Sequence, residues 1–176
     1  AILSILQNPN ISEEQIFSIV KGPDFPGGGQ IISSYNQIKE IYVSGKGTIR
    51  TQARWEFEDL ARGQWRMIVY ELPHGVSSKK ILEEIDDLTN PKLKTGKKTF
   101  SSDQTQAKQL TLGKLDSVRD ESDKDAPIRL VFDPKSSRIR REEFSNFLLA
   151  NTSLQSSTSI NLVAVSEQGK PRQFSL

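Results

Sequence analysis

TIRTQARWEFEDLARGQWRMIVYEL, residues 48–72, is the stretch in which the chain commits to a sheet. Its first half alternates with a period of two. Ile49, Thr51, Ala53, Trp55 and Phe57 fall on one side; Thr48, Arg50, Gln52, Arg54, Glu56 and Glu58 fall on the other. Successive side chains of an extended backbone point to opposite faces, so the pattern predicts one antiparallel strand with a packed face and a solvated face. Residues 59–63 read as a loop, WRMIVYEL (65–72) as the returning arm of a hairpin, and Pro73 as its end.

Outward from the hairpin the period changes to that of helices. Ser12 and Gln15 form a capping-box pattern ahead of Ile16, Phe17, Ile19 and Val20, and Gly22-Pro23 stops that helix. A second short helix is predicted from Tyr35 to Val43, ended by SGKG (44–47). Downstream, Ser77 caps a helix running to about Leu88, and IRLVFD (128–133) reads as a strand. A helix follows near Arg141–Ala150, and SINLVAV (159–165) reads as the last strand. Between Asn90 and Leu115 the chain is polar and lysine-rich, with only a weak helical pattern from Asp103 to Leu112. The order β-β-α-β-α-β predicts an α+β fold: a mostly antiparallel four-stranded sheet with helices packed on one face, preceded by short N-terminal helices. The division expected is a helical segment with a Gly/Pro loop over 1–47, then an α+β domain over 48–176 with a lysine-rich insertion at about 91–115.

Composition excludes some chemistry. The 176 residues contain no cysteine, so disulfides and thiolate catalysis are out, as suits a reducing cytosol. Twenty-four basic and twenty-two acidic residues leave a net charge of +2, so any anionic partner must be met by local clustering of charge. No apolar run approaches the roughly 20 residues that span a bilayer. The opening AILSILQ is too short for that or for a signal peptide, and reads as the last turns of a helix in a piece of something longer.

His74 is the only histidine and sits between Pro73 and Gly75, where it reads as a turn residue; no G-x-S-x-G accompanies it. DSVRDESDKD (116–125) holds five carboxylates in ten positions but no glycine, so it does not fit the calcium loop of an EF-hand. The structural reading is that Asp120 and Glu121 cap backbone N–H groups, or pair with Arg119 or Arg129, as the chain enters a strand. GPDFPGGGQ (22–30) lacks the spacing of a phosphate loop and reads as a turn. Trp55, Phe57 and Trp65 can stack on bases, but aromatics in a hairpin are usually core. One feature points to a partner. Lys46, Arg50 and Arg54 line the solvated face leading out of SGKG, and Lys79 and Lys80 open the next helix against its dipole. Such a stripe can track a DNA backbone without reading sequence, or be an ordinary charged sheet face.

KGPDFPGGGQIISS (21–34), IYVSGKGTIRTQAR (41–54), YELPHGVSSKKILEEI (70–85), VRDESDKDAPIRLVFDPKSSR (118–138) and INLVAVSEQGKPR (160–172) occur in that order. Together they resemble the A subunit of bacterial type IIA DNA topoisomerases. GGGQIISS and APIRLVFDPKSSR are more similar to the topoisomerase IV A subunit than to its gyrase counterpart. The resemblance implies the tower, or shoulder, region of the breakage-reunion core, within a cytoplasmic, nucleoid-associated enzyme of decatenation and chromosome segregation that can associate peripherally with the inner membrane.

It also implies partners: double-stranded DNA, a B subunit that handles ATP and Mg²⁺ in an A2B2 complex, and a second A subunit joined through regions outside this segment. The segment itself is expected to hold no cofactor, no metal and no catalytic residue. Tyr35, Tyr42 and Tyr70 do not match the motif of the family's DNA-cleaving tyrosine. Lys46, Arg50 and Arg54, and after them Lys79 and Lys80, are the candidate contacts to the bent gate DNA; Asp120, Glu121 and Asp123 are read as structural. The alternatives are a structural spacer without DNA affinity, and the equivalent segment of the DNA gyrase A subunit. PKLKTGKKTFSSDQTQAKQLTLGKL (91–115) is longer than the connection in many members.

Overall fold

A computed structural model describes residues 1–92 and 99–176. Its helices are α1 (Ile2–Gln7), α2 (Glu13–Ile19), α3 (Tyr35–Ser44), α4 (Ser78–Thr89), α5 (Ser102–Lys114) and α6 (Arg141–Asn151). Its strands are β1 (Gln30–Ile31), β2 (Lys46–Gln52), β3 (Arg54–Asp59), β4 (Trp65–Glu71), β5 (Leu115–Asp120), β6 (Leu130–Pro134), β7 (Gln155–Asn161), β8 (Val163–Val165) and β9 (Pro171–Gln173). The class is α+β, as the sequence pattern predicts. The chain forms two compact units, one of residues 1–26, 31–51 and 157–176, the other of 27–30 and 52–156.

The first unit is built around Phe17, Ile38 and Tyr42, with Val20, Ile31 and Leu162 packed against them. The Phe17 and Tyr42 rings stack with centroids 6.1 Å apart. Both helices that supply them start at capping boxes. Ser12 Oγ accepts the Gln15 N–H while Gln15 Oε1 accepts the Ser12 N–H, and Ser34 and Gln37 repeat the arrangement. A serine or threonine cap of this kind is worth about 1 kcal/mol. Gly45 ends α3 in the left-handed conformation, φ 71°. A side chain there would also collide with the Phe174 carbonyl oxygen, 2.0 Å from where its Cβ would be.

The second unit contains the antiparallel four-stranded sheet, in the order β3-β4-β6-β5. Met67, Val69, Leu130, Phe132 and Leu115 on one face pack with Ile81 and Ile85 of α4 and Phe144 and Leu148 of α6. Trp65 anchors this core. Its ring meets Phe57 and Phe144 edge-on at 5.5 and 5.4 Å, and its Nε1–H donates to the Ser137 carbonyl at 3.2 Å. Packing of that kind, rather than local propensity, holds short helices in place.

The strand assignments differ from the sequence reading at several points, beginning with β1, which starts at the end of the 22–30 stretch read as a turn. The run 48–58 is two strands: β2 joins a sheet of order β1-β2-β7, whereas β3 joins the four-stranded one. Ala53, fully buried, sits at the change, its N–H bonded to the Leu154 carbonyl at 2.7 Å. Alternation alone cannot register this, because the inward phase continues unbroken through Ile49, Thr51 and Ala53.

The charged stretch 116–125 does not only lead into a strand; its first part completes β5, the fourth strand of the sheet. A register irregularity between Leu115 and Ser117 puts two apolar residues three positions apart, so the period-two signal is lost. An edge strand also tolerates charge that a central strand would not. Finally, residues 159–165 span the end of β7 and then β8, which pairs with β9 in a separate two-stranded sheet. Leu162 breaks the run by turning into the first core. The weak helical signal at 103–112 corresponds to α5, started by a further capping box between Ser101 and Gln104. Lys94, Lys97 and Lys98 of the lysine-rich stretch lie outside the described residues.

Candidate nucleic-acid interface

In the first unit, β2 turns Ile49 and Thr51 inward, at 0% and 1% exposure, and presents Lys46 and Arg50 to solvent. The backbone under these cations is tied down. Ser44 Oγ donates to the Lys46 carbonyl at 2.8 Å, and Ser33 Oγ accepts the Arg50 N–H at 2.9 Å. The Arg50 carbonyl in turn accepts the Ile32 N–H at 2.9 Å. Neither Lys46 nor Arg50 has an ion-pair partner among the described residues. Two exposed cations on a fixed strand, uncompensated by carboxylates, form a surface suited to a polyanion.

The other three candidates lie in the second unit and are compensated. Arg54 opens β3 with its Nε 3.2 Å from Glu71 Oε2. Lys79 and Lys80 stand in the first turn of α4, where Ser77 Oγ caps the Lys80 N–H, and each faces a glutamate one turn on. Lys79–Glu83 spans 3.6 Å and Lys80–Glu84 3.9 Å. Glu84 is also engaged by Ser153, whose N–H donates to its Oε2 at 2.6 Å. All five candidate side chains reach solvent.

Opposite the core, the four-stranded sheet carries an ordered lattice of charge. Glu58 accepts from Arg66 Nε at 2.6 Å across the β3–β4 pair. Arg119 pairs with Asp133 and with Glu121 at 3.3 Å, and Arg129 reaches the other oxygen of Glu121 at 3.3 Å. Ile68 and Val131, opposite one another in register, are buried on this same face, 2% and 0% exposed. Arginine stems cover apolar surface while their heads stay wet, which accounts for buried residues beneath a charged face. The Arg66 hydrogen bond holds the Glu58 carboxyl below the usual carboxylate range, and Arg66 and Arg119 are each pushed upward by their carboxylate partners.

Asp120 and Asp123 of the same stretch do local work. Asp120 Oδ1 accepts the Ser122 N–H at 3.0 Å, and Asp123 Oδ1 accepts the Asp125 and Ala126 N–H groups at 2.9 and 2.6 Å. Capping and pairing are what the structural reading of this stretch expects. Among the described residues no group of three or more His, Cys, Asp or Glu side chains is placed to hold a metal ion.

Tyr42 is buried in the first core, and burial pushes its hydroxyl upward. Tyr35 begins α3 and Tyr70 lies on β4, both exposed. His74 occupies an exposed turn. Trp65 is buried, and Trp55 and Phe57 pack against the same core, so these aromatics serve packing. Sequence reasoning missed the arginine–carboxylate lattice as a unit. Its only signal was the cluster of opposite charges in VRDESDKDAPIR, while the Glu58–Arg66 pair on the same face lies far away in sequence.

The sequence profile describing the A subunit of DNA gyrase/topoisomerase IV matches residues 1–176. A Neisseria gonorrhoeae protein, named as the A subunit of DNA topoisomerase 4, is 48% identical over 176 residues, covering 100% of this chain and 23% of that protein. The Salmonella typhimurium protein of the same name is 34% identical over 171 residues, 97% of this chain and 20% of its own. The one from Caulobacter vibrioides is 34% identical over 167 residues, 95% and 19%. These are the paralogue that GGGQIISS and APIRLVFDPKSSR resemble. The chain spans about a fifth of the length of the curated relatives it matches. The matched profile takes in every residue at once, both units and the basic strand included, and on that ground the chain belongs to the family of DNA gyrase/topoisomerase IV A subunits.

Proposed function

We propose that this chain is a non-catalytic wall of a type II topoisomerase DNA gate, the tower segment of a topoisomerase IV A subunit, gripping the arms of a bent duplex through its phosphates. The observation that carries the reading is the pair Lys46 and Arg50, exposed on a pinned strand and without carboxylate partners among the described residues. Arg54 adds a third contact, and Lys79 and Lys80 rank below it because glutamates already face them. Bending a 20–30 bp site costs on the order of 1–6 kcal/mol, and backbone contacts along the arms offset that cost. Strand cleavage is assigned to a tyrosine outside these 176 residues. ATP and Mg²⁺ are assigned to a B subunit, and dimer contacts to other parts of the full-length protein. The place of action is then the bacterial nucleoid.

The pairing of Arg54, Lys79 and Lys80 supports a second reading, a spacer that props the gate without affinity of its own. Titrating the chain with duplex DNA over a salt series separates the two. Affinity that falls steeply with salt, equally for unrelated sequences, is expected. An absence of binding at low salt leaves only the spacer. Joined to the rest of the full-length protein and supplied with ATP and a B subunit, the segment is expected to support supercoil relaxation.

A further inference from the structure

Glu71 gathers two partners on one oxygen. Its Oε2 accepts the Gly29 backbone N–H at 2.7 Å and lies 3.2 Å from Arg54 Nε. Arg54 and Glu71 are cross-strand neighbours in the β3–β4 register. The glycine-rich loop closes around this carboxylate. A Cβ at Gly28, where φ is 76°, would sit 2.7 Å from Oε2 and 2.9 Å from Cδ of Glu71. Only a residue without a side chain lets the loop approach so closely.

The carboxylate is therefore immobilised from the loop side, while the arginine it holds is not. Glu71 is 34% exposed and Arg54 49%. Arg54 meets Glu71 through Nε; its terminal nitrogens, the two prongs that bind an oxyanion side by side, make no hydrogen bond among the described residues. A long side chain drawn to a carboxylate through Nε has already lost part of the freedom that a phosphate contact would otherwise remove.

Resting on the reading that Arg54 meets DNA, we propose that Glu71 is the positioning residue for that contact, holding the guanidinium so that its terminal nitrogens form a ready fork for a backbone phosphate. The GGG turn is then part of the DNA-binding apparatus, since it fixes Glu71. The alternative is a clasp that joins loop to sheet and does nothing for DNA.

The test is a double-mutant cycle read in salt slopes on a labelled duplex of arbitrary sequence, using wild type, Arg54→Ala, Glu71→Ala and the double variant. Each single variant is expected to lower the log–log salt slope by about 0.9, the value of one phosphate contact, and the double variant to fall no further. Two conservative variants cover the case in which Glu71→Ala fails to fold. Glu71→Gln keeps an oxygen for both donors and is expected to retain the wild-type slope. Glu71→Asp, one methylene shorter, is expected to lose it. Additive losses in the cycle, or Glu71→Asp binding like wild type, overturn the proposal. If Lys46→Ala/Arg50→Ala weakens binding while the Glu71 variants leave it unchanged, the DNA reading stands and the positioning role falls. No salt-dependent binding by the wild type removes both.

Discussion

The exposed sides of β2 and β3 come from one alternating run of sequence, yet they are built to different electrostatic plans. On β2, Lys46 and Arg50 project from a strand whose backbone is bonded on both sides, and nothing among the described residues neutralises them. On β3, Arg54 is matched by Glu71 and Glu58 by Arg66. At its far end Asp59 is matched by Arg141, a guanidinium that also lies over the Phe57 and Trp65 rings, 5.6 and 5.9 Å from their centroids. β2 is thus an exporting strand and β3 mostly a consuming one, its Glu56 exposed without an ion-pair partner among the described residues. A single row of basic residues is therefore a poor unit of function; what matters is which cations stay bare and how the paired ones are held once the chain has folded.

The charge pattern of β3 depends on the core beneath it, so the largest effect is expected from that core. Phe144→Ala removes a fully buried ring that contacts Trp65 edge-on, and should cost about 3–5 kcal/mol. Urea unfolding followed by tryptophan fluorescence measures it; a loss below about 1 kcal/mol would mean that the site repacks. Next comes the exporting strand. Lys46→Ala with Arg50→Ala should leave the melting temperature in place but weaken duplex binding across all sequences, with the salt slope reduced by about 1.8, two phosphate contacts' worth. An unchanged slope would take β2 out of the interface.

A smaller effect concerns the consuming strand. Because Arg66 depresses the Glu58 pKa in the folded chain, the pair's contribution is complete above the ordinary value of 4.5 and is lost as pH falls through the lower folded value. Glu143, held down by Lys114, follows the same sign. Stability should decline in that acid range, and Glu58→Gln should flatten the decline and converge with wild type at the acid end. Urea midpoints at a series of pH values show whether it does. Smallest of all, Lys79→Ala removes an exposed i,i+4 pair, and its stability should stay within about 0.5 kcal/mol of wild type. A drop in DNA affinity comparable to that of the β2 variant would promote α4 to a primary contact.

Much of this was legible from local pattern. The cap at Ser12 and Gln15, the cap at Ser77 and the hairpin arm 65–72 are properties of a few adjacent residues, and the structure contains them. The inward phase of Ile49, Thr51 and Ala53 also came through intact. β5 escaped because its irregular register spaces Leu115 and Val118 by three, and because an edge strand can be mostly charged. The candidate cations were legible as exposed residues, but not as paired or unpaired ones. Lys79 and Lys80 have partners a turn away in sequence, while Arg54 meets Glu71 only through the sheet register.

From the amino acids in order came the class of fold, the starts of the helices and the side of the strand that faces water. These follow from backbone geometry and the aversion of apolar groups to water, which act over a few residues. The change of sheet at Ala53, the Glu58–Arg66 pair, the network of Arg119, Glu121, Arg129 and Asp133 on the same face, and the grip of Glu71 on Arg54 and Gly29 came from assembly in space. Hydrogen bonds and ion pairs depend on distance between atoms. In this chain the decisive ones join residues that only strand pairing and core packing bring within reach of each other.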